Sequence, residues 1–444
     1  MKKSSSIAGK IVFMSAIIGA LLLANLFIGL KLNDREIARN NAKESIAKAA
    51  GEKFCIRKVE FEVPYERNVK KINSKGAAYL DKEFGTVRFS PENLNCEAEI
   101  KSEIRHLGIY SAPIFTGKIK LSGQFTYNQN NNSEYTYKTD NAKCRVVLSD
   151  KSVLEIPVFE INGIKSKPEF EINAKYLNEM GNYEYSNLVI LKSDFKCVKG
   201  TNVFSTELNI RGAEKFTLFL SDKQNKLSVK SDWKSPGFTD FDYLPTTRNL
   251  TEEGFTADWF VPFTGNDNDR IGFEFKTPVD VYKMLDRAVT YGFLFIIVPF
   301  IVLFLFEIFM KISLHPVNYL LCGAASIVFF LLLMSFSEHI PFTAAYLISS
   351  FASGIVISLY VASITKNVKT GIGMCVTFIL MYGYLFFSLK SEDYALLIGS
   401  IFTFIIIAAL MFFTRKVDWN NLKGASSKAG DDKPDNLKLT DKTE

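Results

Sequence analysis

The chain has 444 residues, enough for two or three folded units, and 48% of them are hydrophobic. Many of its 39 phenylalanines lie within the C-terminal hydrophobic runs, which fits lipid-facing helices better than a soluble core. The net charge of +6 forms no basic arm or stripe, which excludes a nucleic-acid partner.

Residues 1–10 carry Lys2, Lys3 and Lys10 and read as a short cytoplasmic N-terminus. The run 11–30 has the roughly 20 apolar residues that a hydrocarbon core of about 30 Å requires in helix. No Ala-x-Ala-like exit closes it, and it gives way to Lys31-Leu-Asn-Asp-Arg35, so it reads as an uncleaved transmembrane anchor. Residues 31–52 are polar and Ala-rich, and are expected to continue the anchor as a helical stalk.

From Phe54 the period changes to two. Phe54-Cys-Ile-Arg-Lys-Val-Glu-Phe-Glu-Val, Gly117-Lys-Ile-Lys-Leu, Cys144-Arg-Val-Val-Leu, Phe170-Glu-Ile and Glu207-Leu-Asn-Ile alternate between Gly-, Pro- and Asn-rich breaks. Such short strands predict an all-β, antiparallel, sandwich-like domain over 53–285. Asn128 to Asn132 reads as an exposed hairpin tip. Cys55, Cys96, Cys144 and Cys197 fall in this region, where an oxidising compartment would permit two disulfides in any of three pairings.

Residues 289–414 predict a bundle of five transmembrane helices: 291–309, 319–336, 342–364, 372–389 and 395–413. Their short connections require antiparallel neighbours. Lys311 and His315, Lys366 and Lys369, and Arg415, Lys416 and Lys423 follow the first, third and fifth spans. The other two connections, 337–341 and 390–393, hold one lysine between them. The positive-inside rule therefore places both termini in the cytoplasm and 31–285 on the far side of the membrane. The tail 415–444 is polar and expected to be disordered.

Candidate site residues are few. Glu338 and His339, with Ser337, close the second span before Pro341, as an interfacial cap or as a polar gate or partner-docking surface. Glu307, Lys311 and His315 form a candidate polar cluster at the inner mouth. Asp418-Trp419 reads as an interfacial anchor. The three histidines are His106, His315 and His339, and this topology sets His315 across the bilayer from the other two. No metal site, cofactor or catalytic residue is expected, and no nucleophile motif or Gly-rich phosphate loop is present.

Three ordered stretches resemble the CreD family of bacterial inner-membrane proteins. The first is Arg105-His-Leu-Gly108-Ile109-Tyr110-Ser-Ala-Pro113-Ile-Phe115 with Leu121-Ser-Gly123-Gln-Phe125. The second is Trp233-Lys-Ser-Pro236-Gly-Phe238, Leu244-Pro245 and Gly254-Phe255-Thr-Ala257-Asp-Trp259. The third runs from His315-Pro316-Val-Asn-Tyr319 through Ser335-Phe-Ser337-Glu338-His339 and Glu392-Asp393-Tyr394 to Thr414-Arg415-Lys-Val-Asp418-Trp419. The segment around Pro64-Tyr65 lacks the family's upstream Gly-Pro.

The resemblance implies an inner-membrane protein tied to cell-envelope integrity and envelope stress, with no known reaction. The expected function is therefore non-catalytic. The exported domain would bind an envelope protein, lipid or wall component, and the bundle would hold it in the bilayer. The alternative is a transporter or channel for a lipid or envelope precursor.

Overall fold

A computed structural model describes residues 7–72, 78–132, 134–149, 151–172, 188–221, 223–266, 268–276, 281–310, 312–390 and 395–415. The chain divides into two compact units, Ile37–Val279 and Met1–Glu36 with Asp280–Glu444. Helix α1 (Ile7–Ala50) begins in the second and ends in the first. Its polar half has no glycine or proline before Gly51 and carries the pairs Lys31–Asp34 (3.1 Å) and Glu44–Lys48 (2.7 Å). Anchor and stalk are thus one continuous helix.

The β unit holds two sheets. In the nine-stranded sheet, Phe54–Ile72 lies between Lys215–Phe219 and Ala142–Ser149. The eight-stranded sheet places Gly254–Val261, Gln224–Ser231, Asn93–Leu107, Tyr110–Tyr127 and Gly200–Ala213 side by side. Most pairings are antiparallel, as the alternation suggested. Two are parallel, Phe54–Ile72 with Lys215–Phe219 and Asn93–Leu107 with Gln224–Ser231, so both sheets are mixed.

The period-two pattern explains the layering. In Asn93–Leu107, Leu94, Cys96, Ala98 and Ile100 are buried while Glu97, Glu99 and Lys101 are exposed. Phe61 of one sheet stacks on Phe125 of the other at 3.9 Å and meets Phe204 edge-on at 5.2 Å. Each phenylalanine buried this fully contributes roughly 1.5–3 kcal/mol. The segment 128–132 is exposed, but it crosses from one sheet to the other and closes no hairpin. The Asn132 side chain accepts hydrogen bonds from the amides of Glu134 and Tyr135, and that of Asn131 from the amide of Tyr137.

The other unit contains α2 (Val281–Thr290), α3 (Gly292–Met310), α4 (Pro316–Ser337), α5 (Phe342–Thr365), α6 (Val368–Lys390) and α7 (Ala395–Thr414). α1, α2 with α3, α4, α5 and α6 are long and apolar enough to cross a membrane. The fifth expected C-terminal span coincides with α7, whose described apolar stretch, Leu397–Phe412, is shorter. The N-terminal helix packs into the same core through Ile17, Leu21, Ile28 and Leu32. The Asn25 side-chain amide donates to the Val289 carbonyl at 3.0 Å, where α2 gives way to α3.

Aromatic rings fill the interior: Phe295 and Phe329 meet Tyr382 at centroid distances of 5.1 and 4.6 Å, Phe329 meets Tyr346 at 5.7 Å, and Phe330 packs on Phe329 at 4.9 Å. Tyr346 donates to the Tyr382 carbonyl at 2.6 Å, and Tyr382 donates to Ser353 at 3.0 Å, which ties α5 to α6.

Candidate functional site

The outer face of the eight-stranded sheet is an open groove of about 920 Å³ that adjoins a second of about 740 Å³. Six strands line it, and the register of five of them sets two rows of side chains. Thr256, Lys230, Glu99, Lys118 and Asn209 make one row, and Asp258, Ser228, Glu97, Lys120 and Glu207 the other. Charge therefore alternates across the strands as well as along them.

The carboxylates Glu97, Glu99 and Glu207 and the amines of Lys118, Lys120 and Lys230 are all exposed. None of the six forms an ion pair with another described residue. Neither groove is lined by a histidine or cysteine, so the chemistry on offer is ionic and hydrogen-bonding recognition. The sequence carried a trace of this in Glu97-Ala-Glu99 and Lys118-Ile-Lys120. Only the register reveals that unlike charges face one another.

At the α4–α5 turn, Ser337 donates back to the Leu333 carbonyl at 2.5 Å, and Glu338 is the C-cap of α4. His339 is exposed. The partner of Glu338 is Arg35 of α1, whose Nε lies 3.6 Å from its Oε1. That residue was not anticipated; its signal was a single arginine just past the anchor. Arg35→Gln and Glu338→Gln should each loosen the seat of α1. Melting of the four variants in a double-mutant cycle should give a coupling of about 0.5–1 kcal/mol.

At the other end of the helices, Glu307 accepts a 2.7 Å hydrogen bond from the Tyr319 hydroxyl. His315 is the N-cap of α4, its Nδ1 accepting from the Val317 amide at 3.3 Å. Lys311 lies outside the described residues, as do Glu392, Asp393, the Asp418-Trp419 pair and the tail from 416.

The four cysteines of the β unit are buried thiols that no disulfide joins, in place of the two bridges the sequence permitted. Cys96, Cys144 and Cys197 belong to the core between the sheets, whereas Cys55 sits in a separate small cluster with Val147, Leu188, Ile190 and Phe219. Burial pushes the Cys96 thiol up to about 12 and that of Cys197 to about 11, and it also raises Cys144. Since the thiolate is the nucleophile, maleimide at pH 8 should label none of these four in the folded protein and all four in denaturant. Mass spectrometry of the labelled chain checks this.

Residues 6–420 match a protein family described as "Inner membrane protein CreD". One relative, Inner membrane protein CreD of Escherichia coli (strain K12), is 27% identical over 351 residues, which is 74% of this chain and 75% of the relative. Two solved structures align at very low identity. One from Legionella pneumophila covers 53% of this chain and 85% of its own, with 8% identity and a TM-score of 0.24. One from Parabacteroides distasonis covers 44% and 42%, with 7% identity and a TM-score of 0.20. Neither is similar enough to inform the fold.

Proposed function

The chain belongs to the CreD family of inner membrane proteins, and from that premise we propose that it supports the cell envelope by binding. Its β domain lies on the exported side of the inner membrane and captures an envelope component in the sheet-face groove. Its helices hold the domain in the bilayer, and no reaction is catalysed. The loop charges support the orientation: Lys366 and Lys369 follow α5, while the α4–α5 turn holds no lysine or arginine.

The observation that carries this reading is the unpaired charge array. Cross-strand neighbours stand only about 4.5–5.5 Å apart at Cβ, close enough for lysine and glutamate to pair. Here all six project into the groove without doing so, which leaves them free for a partner of complementary pattern. Exposed charges of this kind set specificity and encounter rate more than affinity.

The helices weigh against a conduit. Their interior is occupied by aromatic rings, and their buried polar side chains are hydroxyls such as Ser326, Ser349 and Ser353. Among the described residues of that unit, no acidic or basic side chain is buried.

The test is photo-crosslinking in intact cells from Thr256 in the groove and from Asn130 as a control. A discrete adduct is expected from Thr256 alone, and it should weaken when Glu99→Lys and Lys118→Glu are introduced together, a swap that leaves net charge unchanged. Identical adducts from both sites, or none from protein present at normal levels, would rule the reading out.

A further inference from the structure

The hairpin joining Asn93–Leu107 to Tyr110–Tyr127 has no role in the groove. Its two-residue turn places Gly108 at φ +62, the conformation a tight hairpin asks of its first central residue. Every residue from 103 to 109 is exposed, whereas Ala112 and Pro113 of the returning strand are buried, so the ribbon stands free at its tip. Two registered pairs, His106↔Ser111 and Leu107↔Tyr110, hold no buried residue, a free reach of about 7 Å.

The direction of that reach is fixed by backbone hydrogen bonds at its base. The Glu214 amide donates to the Pro113 carbonyl at 3.1 Å, the Ala213 amide to Glu52 at 2.7 Å, and the Phe275 amide to Glu214 at 2.8 Å. Glu52 is where the chain enters the β domain from α1, and Phe275 is where it leaves for α2. Both covalent routes to the membrane segments therefore emerge at the end from which this hairpin projects. The exit connector, 276–280, is five residues and spans at most about 18 Å.

The tip is apolar with a basic flank. Ile104, Leu107 and Ile109 are 51%, 49% and 44% exposed, beside Arg105 and His106. Arg105 pairs with Glu103 at 3.1 Å. A second ribbon, Phe54–Ile72 with Ala78–Phe89, also exposes apolar residues, among them Phe84 at 75%. It extends from the opposite end, because Phe54 lies at the entry and Phe84 pairs with Glu66, twelve residues further along the strand.

We propose that the tip 103–110 docks on the bilayer that carries the protein. Leu107 and Ile109 enter the boundary between headgroups and acyl chains, and Arg105 sits among anionic headgroups. The domain is tethered to that bilayer, so even a small apolar wedge works at high effective concentration. This docking is independent of what the groove binds.

The test uses the full chain in nanodiscs of phosphatidylethanolamine and phosphatidylglycerol, with Cys375→Ser and an environment-sensitive fluorophore on Leu107→Cys or, as control, Phe84→Cys. The label at 107 should be blue-shifted and quenched several-fold more than that at 84 by lipids brominated near the top of the acyl chain. Adding Ile109→Glu should bring it down to the control, and replacing phosphatidylglycerol by phosphatidylcholine should weaken the quenching. Equal quenching at the two sites would overturn the proposal. So would a label at 107 that is shielded from aqueous iodide yet untouched by brominated lipid, since the tip would then rest on protein.

Discussion

Gly272→Ala should cost the β domain about 3 kcal/mol or more, and Gly272→Val should prevent it from folding. Gly272 sits in Arg270–Phe275 at φ +149, a backbone conformation that side chains with a Cβ rarely adopt. An added Cβ would overlap the Phe216 carbonyl and press on the Phe241 ring. The neighbouring strand has no freedom to yield. Lys215–Phe219 is paired to Arg270–Phe275 on one side and to Phe54–Ile72 on the other. The Phe216 ring is itself stacked on Phe54 at 5.2 Å and on Phe273 at 5.9 Å. Trp233 and Trp259, two of the chain's three tryptophans, both lie in this domain, so the unfolding midpoint by tryptophan fluorescence reads it out. An alanine variant within about 0.5 kcal/mol of the parent would show that the strand bends after all.

How much of this was legible before the structure depends on the range over which each signal acts. Alternation is local, so the strands around Phe54, Gly117, Cys144 and Glu207 could be read directly from the sequence. The partners of those strands could not. Nothing near Phe54 says that it pairs in parallel with Phe216, more than 160 residues away. The groove was hidden for the same reason, since it exists only where six strands come into register. The helix α2 was missed because Lys283, Asp286 and Arg287 make 281–290 look like the end of a polar domain. Leu285 and Ala288 are nonetheless buried along one side of it.

Glu338 was legible as an acid at the end of an apolar run, while its partner Arg35 was not. The two are joined only by the packing of α1 against helices that follow some 250 residues later. The cysteines show the limit most plainly. Four thiols at long spacings permit bridges, yet the pleat directs Cys55 to the face of its sheet opposite the one carrying Cys144.

The largest electrostatic effect is expected at Arg145. This arginine is 5% exposed and holds Glu60, 3% exposed, at 3.0 Å and Glu62 at 2.6 Å. Both carboxylates lie on one face of the same strand and converge on a single Nη1. Lys58 meets Glu60 at 2.9 Å and Arg88 meets Glu62 at 3.0 Å, both from more exposed positions. Arg145→Met would keep most of the side-chain volume but leave two carboxylates facing each other, one of them almost dry. The expected cost is about 3–5 kcal/mol, because breaking a buried pair strands the remaining charge.

If stranded charge is the cause, Glu60→Gln added to Arg145→Met should restore part of that loss, and Arg145→Lys should cost less than Arg145→Met. The alternative is that Arg145 acts by packing alone. In that case methionine and lysine variants would melt alike, and Glu60→Gln would restore nothing. The Arg145 Nε is buried without a hydrogen-bond partner, so the network is not fully satisfied even in the parent. A wholly apolar replacement of Glu60, Glu62 and Arg145 is therefore expected to be tolerated better than Arg145→Met alone. Denaturant melts of these variants, followed by tryptophan emission, separate the two accounts.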